Sequence, residues 1–234
     1  MNPLSPHDLS WCLRRAPSKL LAAVKAHEGK VVVAGGFIRS CIANEEINDI
    51  DLFCPSKEYA QAVATSLLVG DRKIIETENA YTVLGHKIPL QFIHRWTYAA
   101  PLDVIPSFDF TIARAAFWYQ DGKWRSAVDP SFYADLASKR LVYCSPARNE
   151  DAGGSLLRVL KFYQRGYRIP LNSMGAVIAR LVMGVRMNDW AGDEKHLAKI
   201  LTGLLREVDP NVDPSHICHL PSLDDDAETE GGAA

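Results

Sequence analysis

The spacing of apolar and polar positions changes twice along this chain. Residues 8–26 place Leu9, Leu13, Leu20, Leu21 and Val24 at helical intervals, interrupted by Pro17. KVVV at 30–33 is an unbroken β-branched run that predicts a buried strand, and FIRSCIA at 37–43 predicts a helix behind a double glycine. Residues 49–53 return to a strand pattern, and Ser56 is placed to cap a helix reaching to about Leu68. AYTVL and KIPLQFIHR read as two further strands joined by a turn at Gly85–His86, and Asp121–Gly122 inside YQDGKW signals a hairpin. RLVY at 140–143 is the last strand signal. From Ser155 onward only the helical period remains, with breaks at Gly166, Pro170, 190–192 and Pro210. The pattern predicts an α/β or α+β part over 1–145 and a small helical part over 146–220, without internal repeats.

Composition narrows the class. Of 234 residues, 47% are hydrophobic and 23% charged, which suits a globular chain able to bury a core. No apolar run is long enough to span a bilayer, and MNPLSPHDLSW lacks the basic-then-apolar order of a secretory signal. The five cysteines (12, 41, 54, 144 and 218) are scattered and form no CxxC, so free thiols and a cytoplasmic location are expected, with no membrane partner. The net charge of −2 conceals an asymmetry: five of the 28 acidic residues fall in LDDDAETEGGAA, leaving 26 basic against 23 acidic elsewhere. Residues 221–234 are therefore expected to be a disordered acidic tail.

Candidate chemistry concentrates in VVVAGGFIRSCIANEEINDIDLF, residues 31–53. Residues two apart on a strand face one side, so Asp49 and Asp51 would present adjacent carboxylates. Such a pair repels itself unless a cation intervenes, and hard oxygen donors suit Mg²⁺. Gly35 and Gly36 let backbone N–H groups approach a ligand, and the helix start behind them favours phosphate. Arg39, one turn on, is placed to fork onto phosphate oxygens. Together these residues imply a nucleoside triphosphate with a metal. No GK[ST] follows and GxGxxG is absent, which excludes a Walker loop and a dinucleotide fingerprint.

GGFIRS…NDIDLF resembles the signature of the DNA-polymerase-β-like nucleotidyltransferases, in particular the head domain of tRNA nucleotidyltransferases and bacterial poly(A) polymerases, which reads GGxVRD and then KDIDIAT. DFTI at 109–112, with the Asp-Pro at 129–130 and the segment to RLVY, is similar to that family's RRDFTINALAY, its Asp-Pro segment and the helix before its closing strand. SLLRVLKFYQRGYRIP at 155–170 is similar to the LRxLRAxRFAxxLGFRI helix that opens the family's neck. The resemblance covers residues 30–170. It implies an α+β fold, a mixed nucleotidyltransferase sheet flanked by helices and followed by a neck-like helical domain. It also implies transfer of a nucleoside monophosphate (NMP) to a hydroxyl, with release of pyrophosphate. On that reading Asp49 and Asp51 hold Mg²⁺, Asp109 is a third ligand or a contact to the nucleotide sugar, and Gly35, Gly36 and Arg39 cradle the β- and γ-phosphates.

Departures from the family pattern are as informative. Ser107–Phe108 replace its paired arginines, and Ser155 stands where the nucleotide-selecting arginine of EDxxR would be, with Glu150 and Asp151 out of register. The strand that carries an acid in poly(A) polymerases offers Gln91. A full CCA-adding cycle is therefore not expected. Arg158, Lys161, Arg165 and Arg168 recur at three, four and three residues, one basic stripe of a helix, opposite Leu156, Leu160, Tyr163 and Tyr167. Seven basic residues, Arg148 among them, face two acidic ones over 139–168, the footprint of a phosphate track. The acceptor implied is an RNA 3′ end, with tRNA in view. Transfer to a small molecule or protein, or a nucleotide- or RNA-binding module without catalysis, are the alternatives. His216, Cys218 and His219 lack a partner pair for zinc, His94 reads as a strand-face residue, and Ser10, Ser40 and Ser155 have no nucleophile context.

Overall fold

The computed structural model describes residues 1–68, 70, 73–146, 153–183 and 192–206. The acidic tail, the His216–Cys218–His219 group, Arg148, Glu150, Asp151, Trp190 and Pro210 lie outside the described residues. The described cysteines, Cys12, Cys41, Cys54 and Cys144, are free thiols.

Helices α1 (Pro6–Arg15) and α2 (Ser18–Ala26) are separated by Pro17, as the pattern predicts. Ser5 caps α1 by accepting from the Asp8 N–H, and Pro6 occupies the first turn, where its missing N–H costs nothing. β1 (Val32–Ala34) runs through the Gly35 turn into α3 (Gly36–Ala43), which Asn44 ends in the left-handed conformation. β2 (Ile50–Phe53) leads to α4 (Lys57–Ser66), whose Ser56 side chain accepts from the Tyr59 N–H. β3 (Ile74–Glu76), β4 (Ala80–Val83) and β5 (Leu90–Ile93) come next in the chain. β6 (Ala115–Gln120) and β7 (Lys123–Val128) form a hairpin whose Asp121 and Gly122 both have positive φ, 51° and 72°, as a two-residue hairpin turn requires. The remaining helices are α5 (Phe132–Ala137), α6 (Gly154–Gln164), α7 (Leu171–Met183) and α8 (Glu194–Arg206).

The seven strands form one mixed sheet in the order β3-β4-β5-β2-β1-β6-β7, antiparallel except where β2 runs parallel to β5. The α+β expectation holds. On one face Val32, Ala34, Phe53, Ala116, Trp118 and Ala127 pack under Val104, Ile105 and Phe108 of the 3-10 segment Pro101–Ser107 and its end. On the other face helices take over: Phe37 of α3 meets the alternate residue Phe117 of β6, and α4 lies along β4 and β5. RLVY does not form a strand; it contributes single bridges, Arg140 to Arg168 and Phe110 to Tyr143. β3, which the pattern did not predict, has a half-buried-to-exposed profile with little apolar alternation to mark it.

The chain divides into two compact units. The first takes residues 1–149 with Lys161–Ala176; the second takes α6 up to Leu160 and the chain from Val177 onward. Among the described residues no helix is long and apolar enough to cross a membrane.

Candidate active site

Gly35 is where the backbone geometry is most demanding. Its φ of 80° and ψ of −134° belong to a region that side chains exclude. A Cβ there would also lie 2.9 Å from the Phe108 ring and 3.9 Å from Asp51 Oδ2. Antiparallel pairing of β1 with β2 places Ala34 opposite Asp51, so the carboxylate reaches the turn just beyond Ala34. Gly36 is different. A Cβ on it would stand 3.7 Å from the Arg39 guanidinium, an ordinary contact.

Asp49 lies one residue before β2, which begins at Ile50 rather than at 49. Burial pushes its carboxyl above the usual range, and Arg39, Arg165 and Lys161 offset that only in part. Asp49 and Asp51, two residues apart, are the carboxylates that could hold a hard divalent cation such as Mg²⁺. Among the described residues no group of three or more His, Cys, Asp or Glu side chains could hold a metal ion. Asp109 is therefore not gathered with Asp49 and Asp51 as a third ligand. It is buried, 2% exposed, in a segment anchored by the Cys144 N–H donating 2.7 Å to its carbonyl. The residue in register beside Asp51 on β5 is Gln91.

Arg39 does not stand out toward solvent as a phosphate fork. It is 6% exposed, its Nε donates to Glu45 Oε2 at 3.2 Å, and its Nη2 donates to Ser40 Oγ at 3.0 Å. Its guanidinium stacks 4.8 Å from the Phe162 ring centre, and the Tyr167 hydroxyl donates to the other Glu45 oxygen at 2.7 Å. Burial would make the cation expensive, and the glutamate compensates it. From there Arg39 still acts on Asp49 through its field.

The basic stripe is also shorter than its spacing predicts. α6 ends at Gln164, and Gly166 turns the chain with φ 86°, so Arg168 is off the helix. Arg168 bridges to Arg140 and stacks 4.5 Å from the Tyr163 ring centre. Of the opposite stripe, Leu160 and Tyr163 are exposed and Tyr167 is buried, as is Phe162, which lies outside that stripe. Arg158 and Lys161 remain on α6, Arg165 lies just past its end, and Lys161 and Arg165 bear on Asp49.

Two supporting groups escaped the sequence reading. Arg114 donates from Nε to the Phe108 carbonyl (2.9 Å) and from Nη2 to the Pro106 carbonyl (3.2 Å), and Asp129 lies 3.7 Å from its Nη1. It thereby fixes the segment that sets the Phe108 ring against Gly35. Asp135, fully buried, accepts from Thr111 Oγ1 (2.7 Å) and from Arg140 Nε (2.9 Å), tying the DFTI segment to α5. The only signal for the first was the Asp-Pro at 129–130; nothing local marks the second.

The model of the Gabija anti-defense 2 family matches residues 9–139 of the chain. A curated relative, "Gabija anti-defense 2" of Bacillus phage SPbetaL7, is 27% identical over 152 residues, 64% of this chain and 36% of the relative. Among solved structures, the Thermotoga maritima CCA-adding enzyme complexed with tRNA superposes with a TM-score of 0.57 at 19% identity, covering 86% of this chain and 48% of that one. A CCA-adding enzyme in complex with ATP gives 0.53 at 19% identity, covering 86% and 50%. A complex with CTP gives 0.52 at 20% identity, covering 75% and 46%. The chain thus spans about half the length of these structures and little more than a third of the phage relative. The sheet and its helices have the nucleotidyltransferase fold of the CCA-adding enzymes; at these identities the likeness is one of fold.

Proposed function

The chain belongs to the Gabija anti-defense 2 family, and from that membership and the carboxylate pair at the Gly35 turn we propose that it counters Gabija as a nucleotidyltransferase. The observation that carries this reading is the approach of Asp51 to Gly35, with Asp49 two residues away. The glycine turn would let backbone N–H groups approach a triphosphate beside the carboxylates. Asp49 and Asp51 would hold Mg²⁺, which when bound would offset charge on the triphosphate and lower the pKa of an attacking hydroxyl. Lys161, Arg165 and Arg39 supply positive field on the Asp49 side, where the β- and γ-phosphates would lie. In the reaction an acceptor hydroxyl oxygen bonds to the α-phosphorus and pyrophosphate departs. Asp109, itself buried, would contact the nucleotide sugar. Lys161 and Arg165 would thus serve the triphosphate.

The test is direct. Purified protein is incubated with each α-labelled nucleoside triphosphate, Mg²⁺ and a cell extract. Asp49→Asn and Asp51→Asn should each reduce label transfer at least about 100-fold, the scale of losing transition-state charge stabilisation. Thermal unfolding should stay close to that of the wild type, and counteraction of Gabija should disappear with transfer. Full transfer by the double variant would defeat the proposal.

A further inference from the structure

Cys12 is the one fully buried residue of α1, and that helix packs on α3, where Cys41 is 1% exposed. One residue before Cys12, the Trp11 indole N–H donates 3.1 Å to the carbonyl of Cys41. That bond fixes the two helices at the height of the cysteines. The two thiols meet there, Cys12 donating to the Cys41 sulfur. Neither belongs to a disulfide. The other described cysteines sit differently. Burial pushes the Cys54 thiol up to about 12, and Cys144, also raised by burial, feels Arg114 and nearby carboxylates.

We propose that Cys12 and Cys41 are a modification site, a buried dithiol that a small disulfide such as oxidised glutathione converts to an intramolecular disulfide bond. The inference stands apart from the nucleotidyltransferase reading. Its first support is proximity. A thiol that the fold holds against a second thiol meets it at an effective concentration that separated cysteines lack. Its second support is the asymmetry of the pair. The Cys12 hydrogen bond and Arg15, one turn further along α1, hold the Cys41 thiol below its usual range against the opposing effect of burial. The same bond, with burial and Asp8, pushes Cys12 up. Cys41 is therefore the attacking sulfur and Cys12 the resolving one. The Cys41 sulfur bonds to one sulfur of the small disulfide, whose S–S bond breaks, and the Cys41 proton passes to the thiolate released. The Cys12 sulfur then bonds to Cys41 as the mixed disulfide breaks, and its proton goes to the second departing thiolate. Two protein thiols are oxidised and one small disulfide is reduced to two thiols. Burial slows this exchange in the closed fold and shields the product, so the link forms while α1 seats on α3 and then persists. It closes a loop of about 30 residues that contains α2, β1 and the Gly35 turn, and ties α1 to the helix that carries Arg39.

Refolding tests this. Full-length protein is unfolded in urea, refolded in a mixture of reduced and oxidised glutathione, alkylated, digested and mapped by mass spectrometry. Fragmentation between Cys41 and Cys54 locates the link. The Cys12–Cys41 bond should dominate, and should be at least about ten-fold more abundant than in protein kept in urea with the same glutathione mixture. The linked form should melt several degrees above the reduced form. Cys12→Ala and Cys41→Ala should each lose that gain. Each variant is compared with itself in oxidant and in reductant, so any cost of the substitution alone does not enter. A link no more abundant than in urea would show that the fold does not bring the pair together. A linked form that melts at or below the reduced one would show that the bond strains the helices. Dominant links to Cys54, Cys144 or Cys218 would show that another pair is preferred. Each of these three results overturns the proposal.

Discussion

At the scale of single residues, adjacent glycines with identical side chains have different obligations. Gly35 combines positive φ with a Cβ position inside the Phe108 ring's contact distance, so Gly35→Ala should cost about 1–3 kcal/mol from backbone strain, with the clash added. It should also push Phe108 off its seat and impair nucleotide binding. Gly36→Ala meets only an ordinary contact with Arg39 inside a helical first turn, and should be neutral or stabilising by up to about 1 kcal/mol. Urea unfolding of the two variants measures the contrast, and equal destabilisation would show that the positive φ of Gly35 is not the controlling factor. The double glycine was legible as a turn between a strand and a helix, but which glycine is obligatory was not, because Phe108 arrives from more than seventy residues away. Arg39 shows the same limit. A cation one turn into the helix reads as a phosphate ligand, yet Glu45 lies beyond the Asn44 turn and Tyr167 is distant in sequence, and these two hold it.

At the scale of elements, local chemistry was readable and long-range termination was not. Ser56, the Asp121–Gly122 hairpin and the Pro17 break each act through neighbouring residues, and each is where the pattern puts it. The basic stripe ran past Gln164 because spacing alone does not register the left-handed Gly166. RLVY has strand composition, but its neighbours offer only isolated bridges. The start of α1 yields a pH prediction. Burial raises the Asp8 carboxyl, but hydrogen bonds from Ser5 and Tyr133, with His7 beside it, together bring it below its usual 3.8. A depressed carboxyl stabilises the fold above the unfolded value, and that stability is lost as pH falls through the folded value. Asp8→Asn should therefore lower the melting temperature at pH 7, and the difference from wild type should shrink steadily in acid below about 3.8. A difference independent of pH would mean that Asp8 acts through shape rather than charge. The same hydroxyl of Tyr133 accepts from the Ser5 N–H, so α1 is tied to α5 at this point.

At the scale of the whole molecule, the compact unit that carries the carboxylate pair is discontinuous. Sequence periodicity divides the chain near residue 145, where strand signals give way to helical ones. The compact unit that contains Gly35, Asp49 and Asp51 also takes Lys161–Ala176. The reason lies in what that segment covers. Phe162 meets the buried Phe110 ring at 6.2 Å between centroids and stacks under Arg39, while Tyr167 satisfies Glu45 and the Ser173 hydroxyl accepts from the Tyr143 N–H. Truncation after Asn149 would expose Phe110 and leave the buried Arg39–Glu45 pair without its aromatic cover. Loss of two large buried aromatic groups costs several kcal/mol, roughly 3–5 for each side chain removed from a core. A chain ending at Asn149 should therefore unfold at markedly lower urea concentration than one ending at Ala176 and should bind an apolar dye in the absence of denaturant. The longer chain should keep the wild-type response of the Gly35 backbone amide resonance to a non-hydrolysable ATP analogue, and the shorter one should lose it. Equal urea midpoints and equal nucleotide responses for the two truncations would mean that the head is complete at Asn149, and that the contacts made by Phe162 and Tyr167 are incidental to both fold and site.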